Sequence, residues 1–157
     1  MKADNYNRGF SLIELIVYLS LSIVLFNVAT ISFAVIERQK IICCAKELQN
    51  NLRYCQKNAV DEKKNYQIKI KNGEKFYVIK CSGGKDNIDN LMRNIKQINL
   101  PIGVKLNSNF PSDEITYKKT GTIQNGGTIT IYGKKYLVNV VINVSTGRAR
   151  LEQIQKK

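Results

Sequence analysis

The sequence predicts an α+β protein in which one long N-terminal helix packs on a small antiparallel β-sheet. Three observations carry this. An apolar run without Pro or Gly, Phe10 to Ile36, passes directly into a stretch with one apolar stripe, Ile41, Ala45, Leu48, Leu52, Cys55 and Ala59. From Tyr66 onward the period changes from 3.6 to 2, and Gly- and Asn-containing turns recur. A helix with one apolar face needs a cover, and a sheet with one apolar face supplies it.

The first 36 residues divide in two. Met1 to Gly9 is a short polar segment with Lys2, Asp4 and Arg8. Phe10 to Ile36 follows with the single charge of Glu14, and from Leu15 to Ile36 no residue is charged. Such a run is long enough to cross hydrocarbon as a helix of about 20 residues. After Ile36 the stripe advances by four, three, four, three and four, which keeps one face of a helix apolar. Glu37, Arg38, Lys40, Lys46, Glu47, Arg53 and Lys57 fall off it. We therefore expect one helix from about Phe10 to about Val60, on the order of 75 Å long at ~1.5 Å per residue.

The remainder, 61–157, reads as a β-rich head. Tyr66, Ile68 and Ile70 alternate with Gln67, Lys69 and Lys71; Asn72-Gly73 turns the chain; Phe76 to Cys81 returns. Ser82-Gly83-Gly84 ends that strand. Asn90 to Ile98 is expected as a short helix closed by Leu100-Pro101. Ile102 to Leu106, Ile115 to Lys118, Thr128 to Tyr132 and Tyr136 to Val144 are expected strands, the last two joined at Gly133-Lys134. Arg148 to Ile154 is an edge strand or a tail.

Composition narrows the function. The net charge is +13, from 25 basic and 12 acidic residues. That balance suits polyanions, and equally a solvated Lys-rich surface, since the lysines are scattered. The chain has no His, no phosphate-binding loop and no G-x-S-x-G. Asp61-Glu62 and Asp113-Glu114 are adjacent pairs near element ends, where surface or cap roles suffice. We expect no enzyme, no cofactor and no metal site. Of the four cysteines, Cys43 and Cys55 lie about 18 Å apart along the helix and cannot pair. Cys55 is on the core stripe and Cys81 shares a strand face with Tyr77 and Ile79. Either they form a bridge or they are two buried thiols.

The position of the apolar run decides between two processing routes. A conventional secretory signal is cut after such a run, and Ser32-Phe33-Ala34 offers only a weak version of that site. The alternative cut precedes it. Arg8-Gly9-Phe10-Ser11-Leu12-Ile13-Glu14 resembles the class III leader of type IV prepilins. The resemblance implies that 1–9 is a leader, that a prepilin peptidase cleaves between Gly9 and Phe10, that Phe10 is then N-methylated, and that Glu14 takes the family's characteristic fifth mature position. Physically, the new amine at Phe10 is costly among apolar helices, about 2.5–3.5 kcal/mol by insertion scales. Glu14, one turn along, can offset it within or between subunits and so set axial register. At the head of an isolated helix, Glu14 would simply suit the dipole and the lipid headgroup region. The resemblance further implies a single-pass protein with its N-terminus cytoplasmic and its head extracytoplasmic, assembling with other major and minor pilins or pseudopilins. Many major pilins carry a kinking Pro in the apolar segment; here Pro101 and Pro111 are the only prolines, which points to a straighter helix and a minor subunit.

Ile115 to Leu151 is similar to the C-terminal part of the GspH/FimT minor pseudopilins and to a minor pseudopilin of Gram-positive competence systems. The likeness lies in Lys119-Thr120-Gly121, Gly126-Gly127-Thr128 and Thr146-Gly147-Arg148. Some FimT-like proteins carry a GRxR element implicated in DNA contact, and Gly147-Arg148-Ala149-Arg150 matches it. Arg148 and Arg150 alternate on an extended chain and share a face. Lys134, Lys135, Lys156 and Lys157 are candidates to extend that patch toward DNA; the alternative is that Arg148 caps the sheet and Arg150 is solvated.

Overall fold

The computed structural model describes residues 11–82 and 92–157, the side chains of 28–34 excepted. Gly9 and Phe10, and the break expected at Gly83-Gly84, lie outside the described residues.

Helix α1 runs without interruption over Leu12–Asp61. It starts where the Ser11 carbonyl accepts from Glu14 N (3.0 Å) and Leu15 N (3.2 Å). It stops where Lys63 takes a φ of 52°, a left-handed turn that helices commonly end on. The chain divides into two compact units between Ile36 and Glu37.

In the first unit the helix is apolar on every side. Leu12, Ile13, Leu15, Leu21 and Leu25, which point round the whole circumference, all stay exposed, between 54% and 79%. Three of its polar side chains bond back to the helix itself. Ser20 Oγ donates to Val17 O, Ser22 Oγ to Tyr18 O and Asn27 Nδ2 to Ile23 O, each at 2.8 Å. Among the described residues no helix is long and apolar enough to cross a membrane; the described apolar side chains of this unit run from Leu12 to Phe26 and resume at Val35.

In the second unit the stripe is the core. Ile41, Ala45, Leu48, Leu52, Cys55 and Ala59 are all buried, joined by Cys44. Two antiparallel sheets cover it, where one was expected. The first has the order β3-β2-β1-β5, made of β1 (Tyr66–Ile70), β2 (Phe76–Ser82), β3 (Met92–Asn99) and β5 (Glu114–Tyr117). The second has the order β4-β6-β7-β8, made of β4 (Lys105–Ser108), β6 (Gly127–Tyr132), β7 (Tyr136–Ile142) and β8 (Ala149–Leu151). β9 (Gln155–Lys156) pairs with the start of β7. Inward residues of both sheets, including Ile68, Tyr77, Tyr117, Ile129, Ile131 and Val140, form one cluster with the helix stripe. Burying each large apolar side chain is worth roughly 1.5–3 kcal/mol, so this shared core holds the head together.

The hairpin over Asn72-Gly73 forms as expected, with Gly73 at φ 82° and Tyr66 opposite Cys81. Two expectations are corrected. The segment expected as a helix, Asn90 to Ile98, is from Met92 onward the edge strand β3, its first two residues lying outside the described ones. Its register against β2 skips Ile95, since Ile79 faces Lys96 and Lys80 faces Asn94. The bulge leaves Ile95 unpaired and exposed, so the spacing of three from Met92 to Ile95 to Ile98 that mimics a helix marks no common face of the strand. The strand expected from Ile102 starts at Lys105, because Gly103 (φ 91°) makes a turn there and Val104 N donates to Pro101 O at 3.1 Å. The last segment, Arg148 to Ile154, expected as an edge strand or a tail, holds the edge strand β8, and β9 follows beyond it on the start of β7.

Candidate functional site

One face of the head brings three distant parts of the chain together. On the last turns of α1, Arg53, Gln56, Lys57 and Val60 follow one another at helical spacing beside the core stripe. Facing them are the loop after β5, Thr120-Gly121-Thr122, and the loop after β7, Ser145-Thr146 with Arg148. Between them lies an open groove of about 540 Å³.

The groove is built around Gln56. Its Nε2 donates to Gly121 O at 3.0 Å and to Thr146 O at 2.7 Å, tying both loops to the helix. Below it, Tyr117 Oη donates to Gly147 O at 3.1 Å. Both loop glycines are required. Gly121 has φ 77° and Gly147 φ 65°, and a Cβ at Gly147 would stand 2.6 Å from Gly121 O. The lining carries three cations, Arg53, Lys57 and Arg148, against the single acid Asp61. Hydroxyls of Thr120, Thr122, Ser145 and Thr146 stand among them. Guanidinium and ammonium groups beside hydroxyls can hold a phosphate or carboxylate through charge-assisted hydrogen bonds.

No family model matches the sequence, and no curated protein matches it. Solved structures do. The chain is similar to the minor pseudopilin EpsH from the type 2 secretion system of Vibrio cholerae, with TM-score 0.62 and 14% identity over 72% of this chain and 96% of that one. It is also similar to the type IV minor pilin FimU of Pseudomonas aeruginosa, with TM-score 0.58 and 19% identity over 74% of this chain and 91% of that one. The chain has a minor-pilin fold.

Within this minor-pilin fold the expected site residues fall into separate places. Glu14 lies in the first turn of α1 and is exposed. Arg148 and Arg150 are both exposed, with Ala149 buried between them. Arg150 lies in β8 and Arg148 just before it, at the groove. Lys134 and Lys135 do not join them. Their turn packs at the other end of the head, where Lys135 N donates to Glu37 Oε1 at 2.8 Å and Gly133 abuts Ile41. Ile41 and Gln56 are fifteen residues apart on α1, so roughly 22 Å separates the two ends. Lys156 and Lys157 go with Lys135, since Lys157 N donates to Lys135 O at 2.8 Å. The single extended patch is corrected to two basic clusters.

All four cysteines are free thiols. Burial pushes the Cys55 thiol up to about 12. Cys44 is pushed up to about 11, chiefly by burial and then by Glu47. Both stay protonated and unreactive near neutral pH. The second acidic pair ties strands and loops together: Glu114 accepts from Gln67 Nε2 at 2.7 Å and from Lys69 Nζ at 2.8 Å, and Asp113 accepts from Asn72 Nδ2 at 2.8 Å. Among the described residues no group of three or more metal-ligating side chains gathers.

The reading of the sequence missed Gln56, Arg53 and Lys57 as site residues. A signal was present. Arg53, Gln56 and Val60 each follow a core residue, Leu52, Cys55 and Ala59, by one position. They form the flank of the stripe, the part of an amphipathic helix that borders whatever covers it.

Proposed function

We propose that this chain is a minor type IV pilin or pseudopilin, a structural subunit anchored in a membrane by α1 and assembled with other pilins into a filament. One observation carries the reading: a single helix whose second half is the core of a minor-pilin head and whose first half leaves Leu12 to Phe26 uncovered. Apolar surface on all sides of a helix needs lipid or neighbouring helices around it. The back-bonded Ser20, Ser22 and Asn27 fit that surrounding, since hydrocarbon offers no partner to a polar group. The uncharged run Leu15 to Ile36 has the length of a span.

In this role a prepilin peptidase cuts between Gly9 and Phe10 and the new N-terminus is methylated. Glu14 then compensates the amine of its own or a neighbouring subunit in the filament. The head stands outside the cytoplasm, and the system is a pilus, a type II secretion machine or a competence machine. The test is intact-mass spectrometry of the chain expressed with and without a prepilin peptidase. The expected product has lost its first nine residues and gained a methyl group. A product beginning downstream of Ala34 would overturn the reading.

A second reading adds DNA contact at a filament tip, through Arg148 and Arg150. It is favoured by the groove, where Arg53 and Lys57 of α1 stand with Arg148. Each phosphate neutralised contributes about 0.9 to the slope of log affinity against log salt on duplex DNA. Replacing Arg148 and Arg150 together should lower that slope by roughly 2. An unchanged slope would remove these arginines from any DNA interface.

A further inference from the structure

The second basic cluster lies at the end of the head where the chain enters it from Ile36. Lys134 and Lys135 form the turn between β6 and β7, and that turn is pinned to Glu37, the first residue of the second compact unit, through Lys135 N. β9 brings Lys156 beside Tyr136 and Lys157 beside Lys135. Lys157 Nζ lies 5.5 Å over the Tyr132 ring. Lys105 faces Tyr132 across the sheet. All five lysines are exposed, and among the described residues none is in an ion pair.

An apolar side chain stands at the same end. Ile102 occupies the tip of the Pro101–Val104 turn, three residues before Lys105, and is 90% exposed, the most exposed large apolar side chain among the described residues. Nothing in the head uses it. Cations grouped around a protruding apolar tip match an anionic bilayer surface, which takes the charges at the headgroups and the tip at the acyl boundary. The lysines also include an aromatic neighbour, Tyr132, suited to that boundary.

We infer that this end of the head docks on the anionic headgroup layer of the membrane, holding the unassembled subunit against the bilayer. The inference rests on the proposed membrane anchor, because only then does the point of entry at Ile36 meet the surface. Extraction into a filament must break these contacts, so anionic lipid would retain the subunit until assembly.

The experiment uses the full chain reconstituted in phosphatidylcholine vesicles and in phosphatidylcholine–phosphatidylglycerol vesicles. Lysine acetylation is read by mass spectrometry, and the anchor is read separately as resistance to alkaline carbonate. The expected result is that phosphatidylglycerol slows labelling of Lys134, Lys135, Lys156 and Lys157 by about threefold or more, given the attraction of each basic residue to an anionic surface. Half-molar salt should abolish the difference, since it shortens the screening length to a few ångströms. Lys118 and Lys119, at the groove end, should label equally in both. Equal labelling of the four lysines in a carbonate-resistant chain overturns the docking alone. A chain stripped by carbonate from both vesicles overturns the anchor and the docking with it.

Discussion

Gln56 Nε2 donates to Thr146 O across 2.7 Å, joining a helix and a loop 90 residues apart in the chain. The same nitrogen reaches Gly121 O at 3.0 Å. One amide thus holds the two loops that, with α1, enclose the basic groove. The relationship links fold to function, because Arg148 follows Thr146 by two residues and inherits its position from that bond.

Replacing Gln56 with Ala should therefore cost about 1–2 kcal/mol, the usual worth of one or two partly buried hydrogen bonds. Urea unfolding of the detergent-solubilised chain checks this. Amide exchange should quicken in 120–122 and 145–148, with the β1–β2 hairpin unchanged.

Gly147 and Gly103 both have positive φ, yet their surroundings differ. A methyl group at Gly147 meets the backbone oxygen of Gly121 at 2.6 Å, whereas at Gly103 nothing lies within 4 Å. Gly103→Ala should cost roughly 1 kcal/mol from backbone conformation alone. Gly147→Ala adds a clash that only a loop shift can relieve, and should cost about 2–4 kcal/mol in total. Equal midpoints for the two variants would contradict the packing of the loops.

Stability should fall in alkali through the buried thiols. Burial raises the Cys55 thiol from its ordinary 9.0 to about 12. Between those values the unfolded chain has lost the proton and the folded chain keeps it, so folding weakens as pH rises. The contribution is intact below about pH 9 and erodes toward pH 12, at up to about 1.4 kcal/mol per unit for one group. Cys44, raised to about 11, adds to it. Urea midpoints at pH 8 to 10 should drop for the native chain and drop less for Cys55→Ala. Tyr66, Tyr77 and Tyr117, also raised by burial, steepen the fall beyond that range.

Glu14→Ala should leave the chain in the carbonate-resistant membrane fraction while filament assembly drops steeply. An uncompensated charge among apolar helices costs about 2.5–3.5 kcal/mol. Sheared filaments, counted by immunoblot against the membrane pool, give the readout. Assembly at the native level would leave the glutamate with only its place near the helix terminus.

The helix and its two characters were legible in the sequence because both depend on local spacing. An unbroken apolar run and a stripe at 3.6 residues need no knowledge of the rest of the chain, and every stripe residue from Ile41 to Ala59 is buried. The β1–β2 hairpin was legible for the same reason, from Asn72-Gly73 and clean alternation. Where a strand's pattern was disturbed, legibility failed. Met92, Ile95 and Ile98 stand at a helix-like spacing of three, and only pairing with β2 makes the segment extended.

Tertiary structure alone decided the rest. β1 takes β5 as its second neighbour, Tyr66 pairing with Tyr117, 51 residues further on, and this completes one sheet while β4 belongs to the other. No local pattern encodes a choice of partner among similar strands; it depends on which apolar faces meet the helix at once. That same packing parts Lys134 and Lys135 from Arg148 and sets Arg53 and Lys57 beside it. Charge sequence lists the cations, but distance in space divides them into two surfaces, because electrostatic and hydrogen-bonding partners are chosen by geometry after the core has formed.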